Sequence, residues 1–218
     1  MFLGHLAVGM AAKRAAPRTS LATLIASAQF ADIIWPAFLL LGLEHVRIDP
    51  GNTAVTPLDF YDYPISHSLL TGLGWAAGFG LVYYALRRYA RGAWVLGACV
   101  LSHWVLDTIS HRPDMPLYPG GQTYVGLGLW NSVPATAVVE LGMYIAGIAI
   151  YVGFTTARDR IGKYAFWALA ATLIALYMAS LLGPPPSVHA LAVVSIVGWL
   201  FIPWAWWADS HRRPASDS

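Results

Sequence analysis

Apolar residues run through this chain in long blocks with brief polar interruptions, at roughly 2–16, 19–44, 66–87, 91–111, 132–155, 160–182 and 187–208. The last six blocks are each about 20 residues or longer, enough at 1.5 Å per residue to cross a hydrocarbon core of roughly 30 Å. The first is only about 22 Å long as a helix, so a short buried or interfacial helix is expected there. Glycine and proline recur inside the blocks, which membrane helices tolerate. The pattern predicts an all-α fold: a polytopic membrane helix bundle of six transmembrane helices plus a short N-terminal helix. Residues 1–211 form one domain, and the polar tail 212–218 reads as a frayed end.

Composition sharpens this picture. The chain is 57% hydrophobic and 11% charged, with a mean hydropathy of +0.56, whereas soluble domains carry about 25% charged residues. The partner this implies is the lipid bilayer. Cys99 is the single cysteine, which excludes an internal disulfide and a thiolate-rich metal site. The apolar run Phe2–Ala12 precedes Lys13, Arg14 and Arg18, the reverse of a cleaved leader's order. No glycine-rich phosphate loop and no soluble basic stripe is present, which argues against nucleotide and nucleic-acid partners.

Charge then orients the spans. Lys13, Arg14, Arg18, Arg87, Arg88, Arg91, Arg158, Arg160, Lys163, Arg212 and Arg213 fall on one side of a six-span arrangement; Arg47 and Arg112 fall on the other. The basic side and the C-terminus are therefore expected to be cytoplasmic. The opposite side carries the two longer loops, 45–65 and 112–131. His45, His189 and His211 lie at segment ends and call for no special role, and Trp204, Trp206 and Trp207 read as an interfacial belt.

Against this background the polar residues inside the blocks need explaining, because intramembrane ionisable groups are costly and usually functional. His103, Asp107 and His111 recur at i, i+4 and i+8, along one helical face. His103 and Asp107, one turn apart, can share a divalent ion. His111 lies about 12 Å of rise further on, next to a helix end that Pro113 enforces, so it belongs at the mouth of such a site. Two metals bridged by Asp107 are an alternative; a polar stripe bonding neighbouring helices is the plain one.

Asp32 sits deep in the first long block. Pro36 has no N–H for the carbonyl of residue 32, so a kink is expected around Asp32. Ser66 is a plausible N-cap that puts His67 in the first turn of the next span. Asp59 and Asp62 read as solvated loop charges, with ligand and supporting roles as alternatives. Helical rise places His5 about 12 Å above Lys13, Asp32 about 21 Å above Arg18, and His103 and Asp107 about 18 and 24 Å above Arg91. Glu140, about 12 Å into its span from the other side, reaches a similar depth; Asn131 or Ser132 caps that span and Pro134 lies in its first turn. Groups at one depth can form one cluster.

Four stretches then resemble a known family. Gly4-His5-Leu6, Asp32 in the first long span, Ser66-His67-Ser68-Leu69-Leu70, and Ser102-His103 with Asp107 before a proline-rich turn are similar to the YdjM-like bacterial inner-membrane proteins. That family is described as membrane-bound metal-dependent hydrolases, distantly grouped with zinc-dependent phospholipase C and P1-type nucleases. The match covers roughly residues 4–119, with two departures: Ile33 and Ile34 follow Asp32 where a second acid is common, and Asp62-Tyr63-Pro64 stands where the family often has His-Arg-Gly. The resemblance implies that His5, Asp32, His67, His103 and Asp107 are metal-site residues, with His111 a further one.

Together these readings lead to a metal-dependent hydrolase in the membrane. Zn²⁺, or another divalent metal, suits imidazole and carboxylate donors without thiolates. Glu140, or a further acid such as Asp114, would act as general base, and Arg112 would meet an anionic group on a small or lipid-like substrate, a phosphoester among the candidates. The alternative is a small transporter whose same His and Asp residues bind an ion or proton. Oligomeric state and substrate have no signature in the sequence.

Overall fold

A computed structural model describes residues 1–215. The first block folds as α1 (Leu3–Ala15). It is a buried helix rather than an interfacial one: Leu3, His5, Leu6 and Met10 have no exposed surface, and α1 contacts the helices of the second, fourth and fifth blocks. The second block is broken into α2 (Leu21–Ala28), capped by the Ser20 hydroxyl on the Thr23 amide, and α3 (Phe30–Leu40). The two meet at a 60° bend. That bend lies at Gln29, not at Asp32 as the proline predicts; α3 runs through Pro36 unbroken. One missing hydrogen bond is tolerated in a packed helix, whereas at Gln29 the Ala28 carbonyl is taken by a side chain, the His103 Nδ1–H at 2.9 Å.

A hairpin follows, β1 (His45–Ile48) against β2 (Leu58–Asp62), and then a single turn, α4 (Pro64–His67). Ser68, not Ser66, caps the long helix α5 (Leu69–Arg87), and α6 (Ala90–Ser110) stops at His111, where the backbone becomes extended. Beyond it lie the two-residue strands β3 (Met115–Pro116) and β4 (Tyr124–Val125) and a 3₁₀ turn at Leu129–Asn131. Ser132 caps α7 (Val133–Phe154), as expected. Strand β5 (Thr155–Ala157), α8 (Arg160–Ser180), α9 (Val188–Gly198), α10 (Phe201–Ser210) and β6 (Arg212–Pro214) complete the order.

Among the described residues α5, α6, α7, α8 and the run Val188–Ser210 are long and apolar enough to cross a bilayer; α2 with α3 makes a sixth such element if the bent pair is one span. The fold is thus the expected helical membrane bundle around a short N-terminal helix. Its centre is a cluster of Leu3, Leu6, Met10, Leu21, Ile25, Tyr144, Phe166 and Leu169. Lipid is as apolar as these side chains, so association depends on close fit, which small residues permit. A Cβ on Gly147 would stand 2.7 Å from the Ala7 Cα, and one on Gly9 would stand 2.8 Å from the Ile25 Cα. These two glycines let α7 and α2 approach α1.

The basic end differs from expectation in two places. Lys13 is buried, donating to Asp209 Oδ2 at 2.7 Å and to the Thr19 carbonyl at 2.9 Å; Asp209 also accepts from the Leu21 amide and the Tyr151 hydroxyl. Arg212 is buried too, bound to Thr155 and the Gly162 carbonyl, while Arg212–Pro214 pairs with Thr155–Ala157. The start of the predicted frayed tail is therefore a strand, and residues 216–218 lie outside the described residues.

The two longer loops close the other end. Asp59 is not a solvated loop charge: it is buried, accepting from Arg47 Nε at 3.0 Å and from Arg112. Asp62 is half-exposed and pairs with His45 at 2.8 Å. Gly126 lies so close to the Arg112 carbonyl that no side chain fits. Leu127 N and Gly128 N then cap the Thr108 and His111 carbonyls at 2.8 and 2.7 Å, strapping this loop across the end of α6.

Candidate metal centre

The bend at Gln29 creates a helix start inside the bundle, and Asp32 occupies the first turn of α3, where the helix dipole favours a carboxylate. The turn α4 delivers His67, and α6 delivers His103 and Asp107 from one face. Four atoms from these residues form a closed ring. His67 Nε2 is 3.5 Å from Asp32 Oδ1 and 3.8 Å from Asp107 Oδ2; His103 Nε2 is 3.7 Å from Asp32 Oδ1 and 3.1 Å from Asp107 Oδ2. Ligands about 2.0–2.1 Å from a tetrahedral ion stand roughly 3.3 Å apart. The four edges of the ring bracket that value, while the donor atoms that all lie within 4.8 Å of one another fall into two sets that share His103, one with Asp32 and His67 and one with His5 and Asp107.

Proton positions strengthen the fit. The Ala28 carbonyl can only accept, so His103 Nδ1 carries a hydrogen, and in the neutral ring Nε2 holds the lone pair. That Nε2 is buried and has no hydrogen-bond partner. A ring of acceptors facing one another at these distances is resolved by a cation, or by protons on the imidazoles. Two groups of donor atoms, His5 with His103 and Asp107, and Asp32 with His67 and His103, are each compact enough to hold a metal ion. A locked Nδ1 is the usual device by which a protein orients a metal-binding imidazole.

His5 joins from α1. Its ring stacks on His103, with centroids 3.7 Å apart, and its Nε2 lies 3.0 Å from Asp107 Oδ1; its Nδ1 is buried without a partner. The Met1 amine also pairs with Asp107. His103 and Asp107 have side-chain exposures of 2% and 3%, but Asp32 is 40% exposed. Access is therefore from the Asp32 side, where a cavity of about 360 Å³ opens. Its walls include Trp35, Phe60, Trp130, Leu181 and Leu191 together with Asp32, His67 and Asp107.

The chain matches no protein-family model, no curated protein and no solved structure.

The remaining sequence candidates surround this ring. His111 lies outside both donor groups. It packs against Trp130 and Phe60 on the cavity wall, and its Nδ1 is 2.9 Å from Asp114 Oδ1, which also accepts from the Tyr63 hydroxyl at 3.2 Å. Burial first, and the Asp114 carboxylate second, push the Tyr63 phenol well above its ordinary range, so it donates and does not ionise. Arg112 is engaged by Asp59 and Asp114 and does not line the cavity. Glu140 does line it, yet both its oxygens accept backbone amides, Phe2 N at 3.1 Å and Gly4 N at 3.0 Å, so it anchors the start of α1.

Sequence reasoning missed Glu44 altogether. It is buried at the end of α3 and accepts from Ile65 N, Ser66 N and the Ser66 hydroxyl at 2.7, 2.8 and 2.6 Å. A lone acid at a span end looks like any interfacial charge, and no local signal reveals a partner about twenty residues away. Asp209 was missed for the same reason.

Proposed function

We propose that this chain is an integral membrane metal-dependent hydrolase, with Zn²⁺ held by Asp32, His67, His103 and Asp107 and with His5 supporting Asp107. The observation that carries the reading is the ring of imidazole and carboxylate acceptors, with edges of 3.1–3.8 Å, three of whose residues line a largely apolar cavity. Mixed nitrogen and oxygen donors without thiolates suit zinc. When bound, such an ion supplies Lewis acidity and a water of lowered pKa.

The protein's own groups supply the rest. Trp35, Phe60 and Trp130 exclude bulk water and accept an apolar substituent. Asp114 holds the His111 proton at Nδ1, which leaves His111 Nε2 as the acceptor available to the cavity; this role replaces the one expected of Glu140. Among the described residues no arginine or lysine lines the cavity, so a lipid-like substrate with one ester or phosphoester bond near the carboxylates fits better than a polyanion. The YdjM-like resemblance points to the same ligands and to a bacterial inner membrane, and the charge pattern to basic ends that face the cytoplasm.

A transporter reading has one observation in its favour. The α2–α3 pair is broken by its 60° bend and packs along the run Val188–Ser210, α3 on α9 and α2 on α10; a broken helix of this kind can build an ion site in a transporter. Elemental analysis of detergent-purified protein tests the first reading. Wild type should carry stoichiometric transition metal, and His103→Ala and Asp107→Ala should lose it. Metal-free wild type refutes the proposal; bound metal with no turnover of ester or phosphoester amphiphiles, but with ion flux in proteoliposomes, favours the transporter.

A further inference from the structure

We infer that Glu44 is a positioning residue that acts through Ser66 to fix the proton of His67, so that His67 Nε2 is free to bind a metal; this rests on the metal reading of the site. The argument is one of donors and acceptors. Ser66 Oγ is 2.6 Å from Glu44 Oε2 and 2.6 Å from His67 Nδ1. Glu44 is a carboxylate already accepting two backbone amides through Oε1, so the single Ser66 hydroxyl proton goes to Oε2. Ser66 Oγ can then only accept from His67, and His67 Nδ1 must carry a hydrogen. In the neutral imidazole the lone pair is then on Nε2, the atom 3.5 Å from Asp32 and 3.8 Å from Asp107.

All three residues are buried, Glu44 at 1%, Ser66 at 2% and His67 at 5% exposure, so water does not substitute for a missing link. The turn itself has further anchors: Trp75 Nε1 donates to the Ile65 carbonyl at 2.9 Å, Thr71 Oγ1 to the Pro64 carbonyl at 3.1 Å, and His67 N to the Tyr63 carbonyl at 3.1 Å. A variant at Glu44 can therefore keep the turn and lose only the relay.

Glu44→Gln is nearly isosteric and reverses the relay. Its amide oxygen must face the two backbone donors, so its NH₂ faces Ser66 Oγ and donates. The Ser66 hydroxyl then donates to His67 Nδ1, and the imidazole proton moves to Nε2, where it blocks the metal. Two measurements on the full-length protein in micelles test this. In metal-free protein, ¹⁵N NMR of His67 should report the Nδ1–H tautomer in wild type and Nε2–H in Glu44→Gln. Cobalt(II) titration should show affinity weakened about 10–100-fold in Glu44→Gln, the usual cost of losing such a partner.

In a Ser66→Ala background the Glu44→Gln change should alter cobalt affinity by no more than about twofold, because the link is already cut. An unchanged tautomer in Glu44→Gln overturns the inference. So does an equal loss of cobalt affinity with and without the Ser66 hydroxyl, the result of a purely structural anchor. Wild type that takes up no cobalt defeats the metal reading instead, while the tautomer measurement still decides the relay.

Discussion

The buried Lys13–Asp209 pair gives the fold its sharpest test. Asp209 Oδ2 accepts from Lys13 Nζ at 2.7 Å and Leu21 N at 3.0 Å, and Oδ1 accepts from the Tyr151 hydroxyl at 2.8 Å. Both charged side chains are 8% exposed. Asp209→Leu strands an ammonium among α1, α2 and α10 and removes the acceptor of two more donors. Breaking a buried pair by deleting one partner costs about 3–5 kcal/mol, a large share of the roughly 5–15 kcal/mol that holds a protein folded.

Replacing both charges has a different cost. Lys13→Met with Asp209→Leu leaves no buried ion, only Leu21 N and the Tyr151 hydroxyl without their acceptor and the Thr19 carbonyl without its Lys13 donor, at about 1–3 kcal/mol for each unmet buried group. The double variant should therefore be more stable than Asp209→Leu alone. Unfolding in mixed micelles by SDS titration, followed by circular dichroism, measures both. A single-variant loss below about 1 kcal/mol, the range of an exposed pair, would refute the reasoning; so would a double variant no more stable than the single one.

Two further outcomes follow from the packing of α1. Gly147→Val should lower the unfolding midpoint by the equivalent of about 1–3 kcal/mol, because its Cβ would sit 2.7 Å from the Ala7 backbone; a wild-type midpoint would show that α1 and α7 are not in close contact. Glu140→Ala should cost about 1–3 kcal/mol through the unpaired Phe2 and Gly4 amides while retaining bound metal, and loss of metal with unchanged stability would make Glu140 a ligand.

The sequence by itself determined the fold class, because a bilayer requires continuous apolar runs of fixed length, and such runs are local and countable. It also marked Asp32, His67, His103 and Asp107, because a charged or imidazole side chain inside such a run has no cheap local explanation. The depth of a group follows from helical rise alone, so their meeting was foreseeable in one dimension. What rise does not supply is rotation about each helix axis and the path between helices.

Those were decided by tertiary contacts. The second block bends at Gln29 because His103 on another helix takes the Ala28 carbonyl, a partner 75 positions away, while the visible signal, Pro36, produced no break. Glu140 and Arg112 looked like catalytic groups until the amides of α1 and the Asp59 carboxylate engaged them. Glu44 and Asp209, acids at span ends, gave no signal in the sequence, because Ser66 and Lys13 meet them only in the packed structure. The reason is common to all four: a charge costs little wherever it finds a partner, and the partner's position is a property of the packed helices, not of the neighbouring residues.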